Sequence, residues 1–159
     1  MAHQKKIILF DIDYTVFDMG LYGDSKIQTY KAYDEVYEVL SELKGIADLG
    51  ILSQGEVLWQ ERKLLETNLK KYFLQEHTHI VLSKEETIEG IMKQYLGRGK
   101  LFLVDDRLTV LELAKKHHPE LTTIWMKRGK FAKEQKPIKF KADATILNLR
   151  ELLPIIKAT

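Results

Sequence analysis

The stretch KIILFDIDYT, which runs from Lys6 to Thr15, decides the fold of this chain. Its first half, Lys6–Phe10, is a short apolar run without polar alternation, which is typical of a strand buried on both faces of a parallel sheet. Two acids, Asp11 and Asp13, follow that run directly. The sequence therefore predicts a buried strand that ends in two carboxylates facing a common site. An Asp-rich turn is the simpler alternative for these residues taken alone.

Outward from this strand, the remaining sequence alternates short apolar runs with amphipathic stretches. Further strands are predicted at 46–52, 79–82, 101–104, 121–126 and 144–147. Helices are predicted at 25–44, 56–69, 84–96, 108–117 and 148–157. Alternation of this kind predicts a single α/β domain over residues 1–159, with a doubly wound, mostly parallel sheet and helices on both faces.

Polar residues follow the next predicted strands, at the edge where such sheets bind ligands. Ser53 precedes a helix, where a hydroxyl and free N–H groups suit a phosphate, or serve only as a helix cap. Lys84 opens a helix, which is an unfavourable place for a cation unless an anion lies there, and an exposed surface lysine is the alternative. Asp105 and Asp106 end a strand and offer the oxygen ligands that suit Mg²⁺. With the first acidic pair, these residues supply a carboxylate nucleophile, a second acid, a hydroxyl, a cation and a metal site.

The same residues resemble the four motifs of the haloacid dehalogenase-like (HAD) phosphohydrolases. They occur in the family's order at spacings of 42, 31 and 21 residues, counted from Asp11 through Ser53 and Lys84 to Asp105. The resemblance covers nearly the whole chain. It implies a HAD-like Rossmannoid fold with strand order 5-4-1-2-3, and Mg²⁺-dependent hydrolysis of phosphate monoesters.

The resemblance also implies a role for each catalytic residue. Asp11 would attack phosphorus and form an aspartyl-phosphate, which water then hydrolyses. Asp13 would protonate the leaving oxygen and later deprotonate the attacking water. Ser53 and Lys84 would hold the phosphoryl oxygens and neutralise their charge. The dehalogenase branch of the family lacks the second acid, because a halide leaves without a proton, so Asp13 favours a phosphatase.

A magnesium site is implied at the same place. The resemblance assigns as ligands Asp11, the main-chain carbonyl of Asp13, and Asp105, with Asp106 as a further ligand. The cation would neutralise the phosphate so that a carboxylate can approach it.

Many members of the family cover this site with a cap domain, for which the chain has no room. About ten residues, 17–26, separate the first motif from the first predicted helix. They predict only a short flap, in which Gly20 and Gly23 can flex. Tyr14 stands where many members have a small residue, and it is expected to shape the entrance. An uncapped site fits a macromolecular substrate, or a small molecule covered by a neighbouring subunit of a homo-oligomer, and both remain open.

The net charge of +2 is the sum of two unlike parts. The segment 127–141 holds seven basic residues and one acid, and the rest of the chain carries a net charge of −4. Phe131 and Phe140 interleave with the cations, as on a nucleic-acid-binding surface, and a solvated lysine-rich loop is the alternative. Two rival functions therefore remain: a nucleic-acid-binding protein that uses this segment, and a HAD-like binding or regulatory module without turnover.

Composition excludes several other classes. The chain has no cysteine, so disulfides, thiolate zinc sites and a cysteine nucleophile are excluded. No run of about eighteen apolar residues predicts a membrane-spanning helix, and no membrane partner is expected. The first residues show no signal-peptide pattern, so the expected location is the cytoplasm.

Overall fold

The computed structural model describes residues 3–19 and 30–159, and its centre is a six-stranded sheet in which every pairing is parallel. The strands are β1 Lys6–Phe10, β2 Asp48–Gln54, β3 Thr78–Val81, β4 Lys100–Asp105, β5 Thr122–Met126 and β6 Ala144–Ile146. Their order across the sheet is β3-β2-β1-β4-β5-β6.

In the described part of the chain, six helices connect or follow these strands. They are α1 Val36–Leu43, α2 Val57–Glu66, α3 Lys84–Gln94, α4 Leu108–His117, α5 Lys130–Lys133 and α6 Leu152–Lys157. Short 3-10 turns occur at Lys70–Tyr72, Gln75–His77 and Leu149–Glu151. Within the described residues, no helix combines the length and apolar character needed to cross a membrane.

The side chains of β1 point alternately into two separate cores, which is why its sequence is apolar throughout. Ile8 and Phe10 pack into a core with α1 and α6, whereas Ile7 and Leu9 pack into a second core with α3 and α4. All four side chains are almost fully buried. Because strand side chains alternate between faces, a strand covered on both faces must be apolar at every position.

The carboxyl end of β1 lies at the point where the strand order reverses. Phe10 pairs with Ile51 of β2 on one side and with Val104 of β4 on the other. The backbone N–H of Asp11 continues the ladder by donating to the carbonyl oxygen of Val104 at 3.0 Å. Residues that follow these strands therefore meet in one crevice, which is the usual ligand site of open α/β sheets.

The predicted architecture is confirmed: the order 5-4-1-2-3 is present, and the sixth strand pairs with β5. The bounds of β1 and α4 agree with the predicted ones. The helix predicted over 148–157 begins instead as a 3-10 turn, and α5 was not predicted.

The predicted start of the first helix is wrong. That helix was expected over 25–44, but α1 begins only at Val36. Residues 30–35 run alongside the loop after β1, since Ala32 forms an antiparallel bridge with Phe17 and the N–H of Tyr33 donates to Val16. Apolar spacing alone does not distinguish this tertiary pairing from a helix. The central part of the predicted flap, with Gly20 and Gly23, lies outside the described residues.

Two glycine substitutions test this packing. Gly50 of β2 lies against the backbone of His77 and the side chain of Leu9, and an added Cβ would collide with both. Gly50→Ala is therefore expected to lower the free energy of unfolding by about 1–3 kcal/mol. Gly90 of α3 is exposed and has no atom near an added Cβ, so Gly90→Ala is expected to raise it by about 0.5–1 kcal/mol. Urea unfolding of both variants measures these changes, and destabilisation by Gly90→Ala or tolerance of Gly50→Ala contradicts the described packing.

Candidate active site

Three carboxylates converge where β1 and β4 end side by side. Asp11 follows β1, Asp105 is the last residue of β4, and Asp106 comes next. Their side chains are buried, with 7%, 0% and 2% of the residue surface exposed. One oxygen atom from each carboxylate lies within 4.8 Å of the others. The adjacent strands thus concentrate negative charge at one buried point.

Lys84 partly compensates this charge. It is the first residue of α3, it is 4% exposed, and its Nζ lies 3.0 Å from Asp11 Oδ1 and 2.6 Å from Asp105 Oδ2. Its backbone N–H donates to Oε1 of Gln54 at 3.0 Å. The lysine at this unfavourable end of a helix is therefore explained by the anions that surround its ammonium group.

Burial and mutual repulsion shift the protonation equilibria of the cluster. Burial raises the pKa of Asp11, which Lys84 opposes and Asp105 reinforces. Burial also raises the pKa of Asp106, and the charges of Asp11 and Asp105 raise it further. Burial lowers the pKa of Lys84, but the two neighbouring carboxylates outweigh this effect and leave that pKa above its usual value. One lysine does not balance three acids, so the cluster needs a proton or a second cation.

The residues at this point fit a divalent metal ion. The ligand set consists of carboxylate oxygens only, which suits Mg²⁺ rather than a softer metal. Oδ2 of Asp106 is buried and accepts no hydrogen bond from any residue in the described part of the chain. A buried carboxylate oxygen without a donor is costly unless a cation occupies the space beside it. Asp11, Asp105 and Asp106 are thus the side chains that would hold the ion.

Asp13 lies in the same pocket, but its side chain contacts α2 rather than the carboxylate cluster. Lys63 Nζ lies 2.7 Å from Asp13 Oδ1, and Gln60 Nε2 lies 3.4 Å from Oδ2. Lys63 is 2% exposed, although it is a lysine on a helix. Gln60 also donates to the carbonyl oxygen of Gln54 at 3.0 Å. The second acid is thus held by two side chains of α2.

Two hydroxyl groups complete the inner site. Thr15 is fully buried, and its Oγ1 lies 3.4 Å from Asp11 Oδ2 as a weak donor. Ser53 lies on β2 at 1% exposure, and its Oγ has no hydrogen-bond partner among the residues that the structure describes. A buried hydroxyl without a hydrogen-bond partner is an exception that a bound group would explain.

Comparison with known proteins identifies the fold family. No protein-family profile and no curated protein sequence matches the chain. Among solved structures, a protein from Burkholderia xenovorans LB400 named as a haloacid dehalogenase-like hydrolase superimposes with a TM-score of 0.76 at 20% identity, covering 96% of each chain. The chain has the HAD-like fold.

Two further structures support this assignment. YfnB from Bacillus subtilis, named as a HAD-hydrolase and bound to magnesium, has a TM-score of 0.73 at 15% identity, covering 96% of this chain and 99% of that one. The L-2-haloacid dehalogenase from Xanthobacter autotrophicus has a TM-score of 0.69 at 12% identity, covering 98% and 99%. At such identities the likeness shows a HAD-like fold and leaves the reaction to the residues of the site.

Two rings and a guanidinium group form a cluster beside the carboxylate site. Tyr14 has a φ of +62°, which is unusual for a bulky residue, and its ring lies edge-to-face on Phe131 at 5.7 Å. Gly129, with a φ of +84°, packs so closely on Tyr14 that a Cβ would collide with the ring. The Cζ of Arg107 lies 3.8 Å from the centroid of Phe131. Tyr14 thus packs on Phe131, which lines the pocket, and that Tyr14 shapes the entrance stays a prediction.

The basic segment 127–141 is only partly a free charged surface. The guanidinium of Arg128 contacts the buried carboxylate of Glu35 and lies 3.5 Å from the centroid of the Tyr33 ring, so it serves the fold. Phe140, expected to lie among the cations of a nucleic-acid surface, packs against the core beneath α3 and α4. Of the two interleaved aromatic residues, Phe131 alone contacts the site.

Sequence reasoning missed Lys63, Gln60 and Arg107. A signal existed for the first two, because positions 60 and 63 share the buried face of α2 with Leu64, and polar residues at such positions need partners. Arg107 directly follows the acidic pair, but the sequence does not show which way its side chain points.

Asp106→Asn is expected to stabilise the metal-free protein. A carboxyl group with a raised pKa binds more protons when folded than when unfolded, so the free energy of unfolding of the wild type falls as pH rises above about 4. An amide does not ionise, and the variant should therefore gain at pH 7 at least ~1 kcal/mol, or about 2–4 °C in melting temperature. The gain should grow with pH.

Thermal unfolding in chelator and in Mg²⁺ measures both parts of this expectation. The wild type should melt higher in Mg²⁺, and Asp106→Asn should lose most of that shift. Glu120→Gln makes the same chemical change at an exposed position and should behave as the wild type does. A lower melting temperature of Asp106→Asn in chelator, or a wild type indifferent to every divalent metal, would contradict the charge balance described.

Proposed function

We propose that this protein is a Mg²⁺-dependent phosphatase that hydrolyses phosphate monoesters through an aspartyl-phosphate on Asp11. The observation that carries the proposal is the presence of two differently held acids in one small pocket. Asp11 lies among buried carboxylates and Lys84, whereas Asp13 is half-buried and is held by α2. A pair of carboxyl groups in different environments suits a nucleophile and a proton carrier.

The first step uses both acids. A carboxylate oxygen of Asp11 attacks phosphorus, a new P–O bond forms, and the bond from phosphorus to the ester oxygen breaks. Asp13, in its acid form, gives its proton to the departing oxygen, so that an alcohol leaves rather than an alkoxide. A 2-haloacid would release a halide, which needs no proton. The second acid therefore favours an ester of phosphoric acid over an organic halide as substrate.

The second step restores the enzyme. Asp13, now a carboxylate, takes a proton from water as the water oxygen attacks phosphorus. The bond between phosphorus and Asp11 breaks, and inorganic phosphate and the carboxylate of Asp11 are released. Water and ester are consumed, alcohol and phosphate are formed, and Asp13 regains its proton.

Three further groups would assist by neutralising charge, orienting the carboxylate of Asp11 and donating a hydrogen bond. A Mg²⁺ ion held by the carboxylate cluster would supply charge neutralisation at the phosphoryl oxygens. Lys84 keeps the carboxylate of Asp11 oriented through its 3.0 Å contact. The hydroxyl of Ser53, which has no hydrogen-bond partner among the described residues, would donate to a phosphoryl oxygen.

Asp11→Asn is expected to abolish release of phosphate from an aryl phosphate, with at least a ~1000-fold loss, because an amide is not a nucleophile here. Phosphate release is measured with and without Mg²⁺. The matched control is Asp34→Asn, which changes an exposed acid and should retain wild-type activity. Absence of turnover by the wild type with every divalent metal, or release of halide from a 2-haloacid instead, would overturn the phosphatase proposal.

Lys63 is expected to act as a positioning residue for Asp13. Lys63→Met should lower kcat for an alkyl phosphate by about 10–100-fold but much less for an aryl phosphate, because the aryl leaving group needs little protonation. Lys63→Arg should restore part of the loss. Lys93→Met removes an exposed lysine of α3 and serves as control. Equal losses on both esters in a protein with an unchanged melting temperature would show that Lys63 does not act through the acid.

A further inference from the structure

Arg107 lies between two adjoining cavities of very different size. The smaller one, of about 70 Å³, contains the side chains of Asp11, Asp13 and Lys84. The larger one, of about 730 Å³, is a groove between the first turns of α3 and the length of α4. Arg107 contributes to the lining of both. The small cavity suits a phosphoryl group, and the groove has the size of a typical small-molecule site.

The guanidinium of Arg107 is held in place by a ring rather than by an acid. Its backbone N–H donates to Asp105 Oδ1 at 2.9 Å, which fixes the residue at the end of β4. Its Cζ lies 3.8 Å from the centroid of Phe131, and Phe131 is in turn packed against Tyr14. Stacking on a ring orients a guanidinium while leaving its N–H edge available.

No carboxylate or other hydrogen-bond acceptor in the described part of the chain pairs with this guanidinium. Arg128 provides the contrast, since it also lies on a ring but contacts the buried Glu35 and the carbonyl oxygen of Thr15. Arg128 therefore completes the fold, whereas Arg107 keeps its donors free at the mouth of the site. A preorganised and unpaired guanidinium is suited to bidentate binding of a carboxylate or a phosphate.

We propose that Arg107 binds a second acidic group of the substrate, so that the substrate class is a small phosphate monoester that also carries a carboxylate or a further phosphate. This inference rests on the proposed phosphatase function. The carbon part would lie along the apolar wall of the groove, formed by Ile88, Val110 and Leu113. The second anion would lie at the junction of the two cavities.

The charges of the groove favour one anion over a polyanion. Glu85 and Glu112 line it together with Lys116, so beyond Arg107 the groove carries no excess of positive charge. A nucleic-acid strand would place successive phosphates against these acids, and it would gain little there. A small molecule with a single second anion gains the contact with Arg107 without that repulsion.

Steady-state kinetics with three matched esters test the inference. The probes are propyl phosphate, its analogue with a terminal carboxylate, and its analogue with a terminal second phosphate. The wild type should show kcat/KM at least about tenfold higher for one or both charged esters, and the two charged probes distinguish the source of the anion. Arg107→Met should raise KM for the charged esters and so lose the preference for them over propyl phosphate, which has no second anion for the guanidinium to bind.

Two further variants separate recognition from folding. Arg107→Lys keeps the charge but not the planar fork, and it should regain only part of the preference. Lys133→Ala removes a charge from an exposed position of α5 and should retain the full preference. Equal activity of the wild type on all three esters, or an equal loss on all three in Arg107→Met, would overturn the inference. Failure of the wild type on these esters and on aryl phosphates would instead overturn the phosphatase proposal itself.

Discussion

A buried lysine shared by two carboxylates is the interaction on which the rest of the structure depends. Lys84 joins the end of β1 at Asp11 and the end of β4 at Asp105, and it does so from the start of α3. Each of these charges would cost several kcal/mol to bury alone, and contact between them offsets that cost. The parallel register of the two strands places both acids at the same height, so the sheet and the charge cluster stabilise each other.

The negative charge of the carboxylate cluster is not balanced by positive charge, and this imbalance links stability to function. Two carboxylates share one ammonium group, and the third, Asp106, has an oxygen with no donor in the described residues. A protein selected only for stability would replace such a group with an apolar or amide side chain. The acid raises the free energy of the folded protein when no cation lies beside it, and a cation bound there would return that energy. Affinity for a metal and instability without it would then be two consequences of the same three side chains.

Candidate site residues that lie at the ends of strands were predictable from the sequence. Residues that the face of a helix brings to the site were not. Asp11, Ser53 and Asp105 each follow an apolar run, and in a parallel sheet that position alone brings them to one edge. Lys84 was predictable because a cation at a helix start needs an anion. The strand order came from the resemblance to the HAD phosphohydrolases, because regular alternation of strands and helices limits the possible topologies without choosing one of them.

The predictions that were wrong or incomplete have a common physical cause. They depend on tertiary contacts, which produce no periodic pattern in the sequence. The late start of α1 depends on a bridge between Ala32 and Phe17, fifteen residues apart in the sequence. The position of the Arg107 side chain depends on the ring of Phe131. Phe131 lies on α5, between β5 and β6, whereas Arg107 follows β4. The charge of the segment 127–141 was visible, but its division into structural and exposed residues was not. The composition gives the number of basic residues, whereas binding of a ligand depends on which of them are not already paired with groups of the fold.

The way in which Asp13 is held bears on the geometry of the pocket. Asp13 is 27% exposed at its side chain, and its partner Lys63 is 3% exposed, so the acid faces the pocket while its support is buried. Lys63 also lies 5.1 Å from the centroid of Phe17, which fixes the ammonium group against a core side chain. The support thus comes from α2, whereas Asp11 is held by Lys84 at the start of α3. Because two buried lysines hold the two acids of one pocket, the positions of these acids are set before a ligand enters.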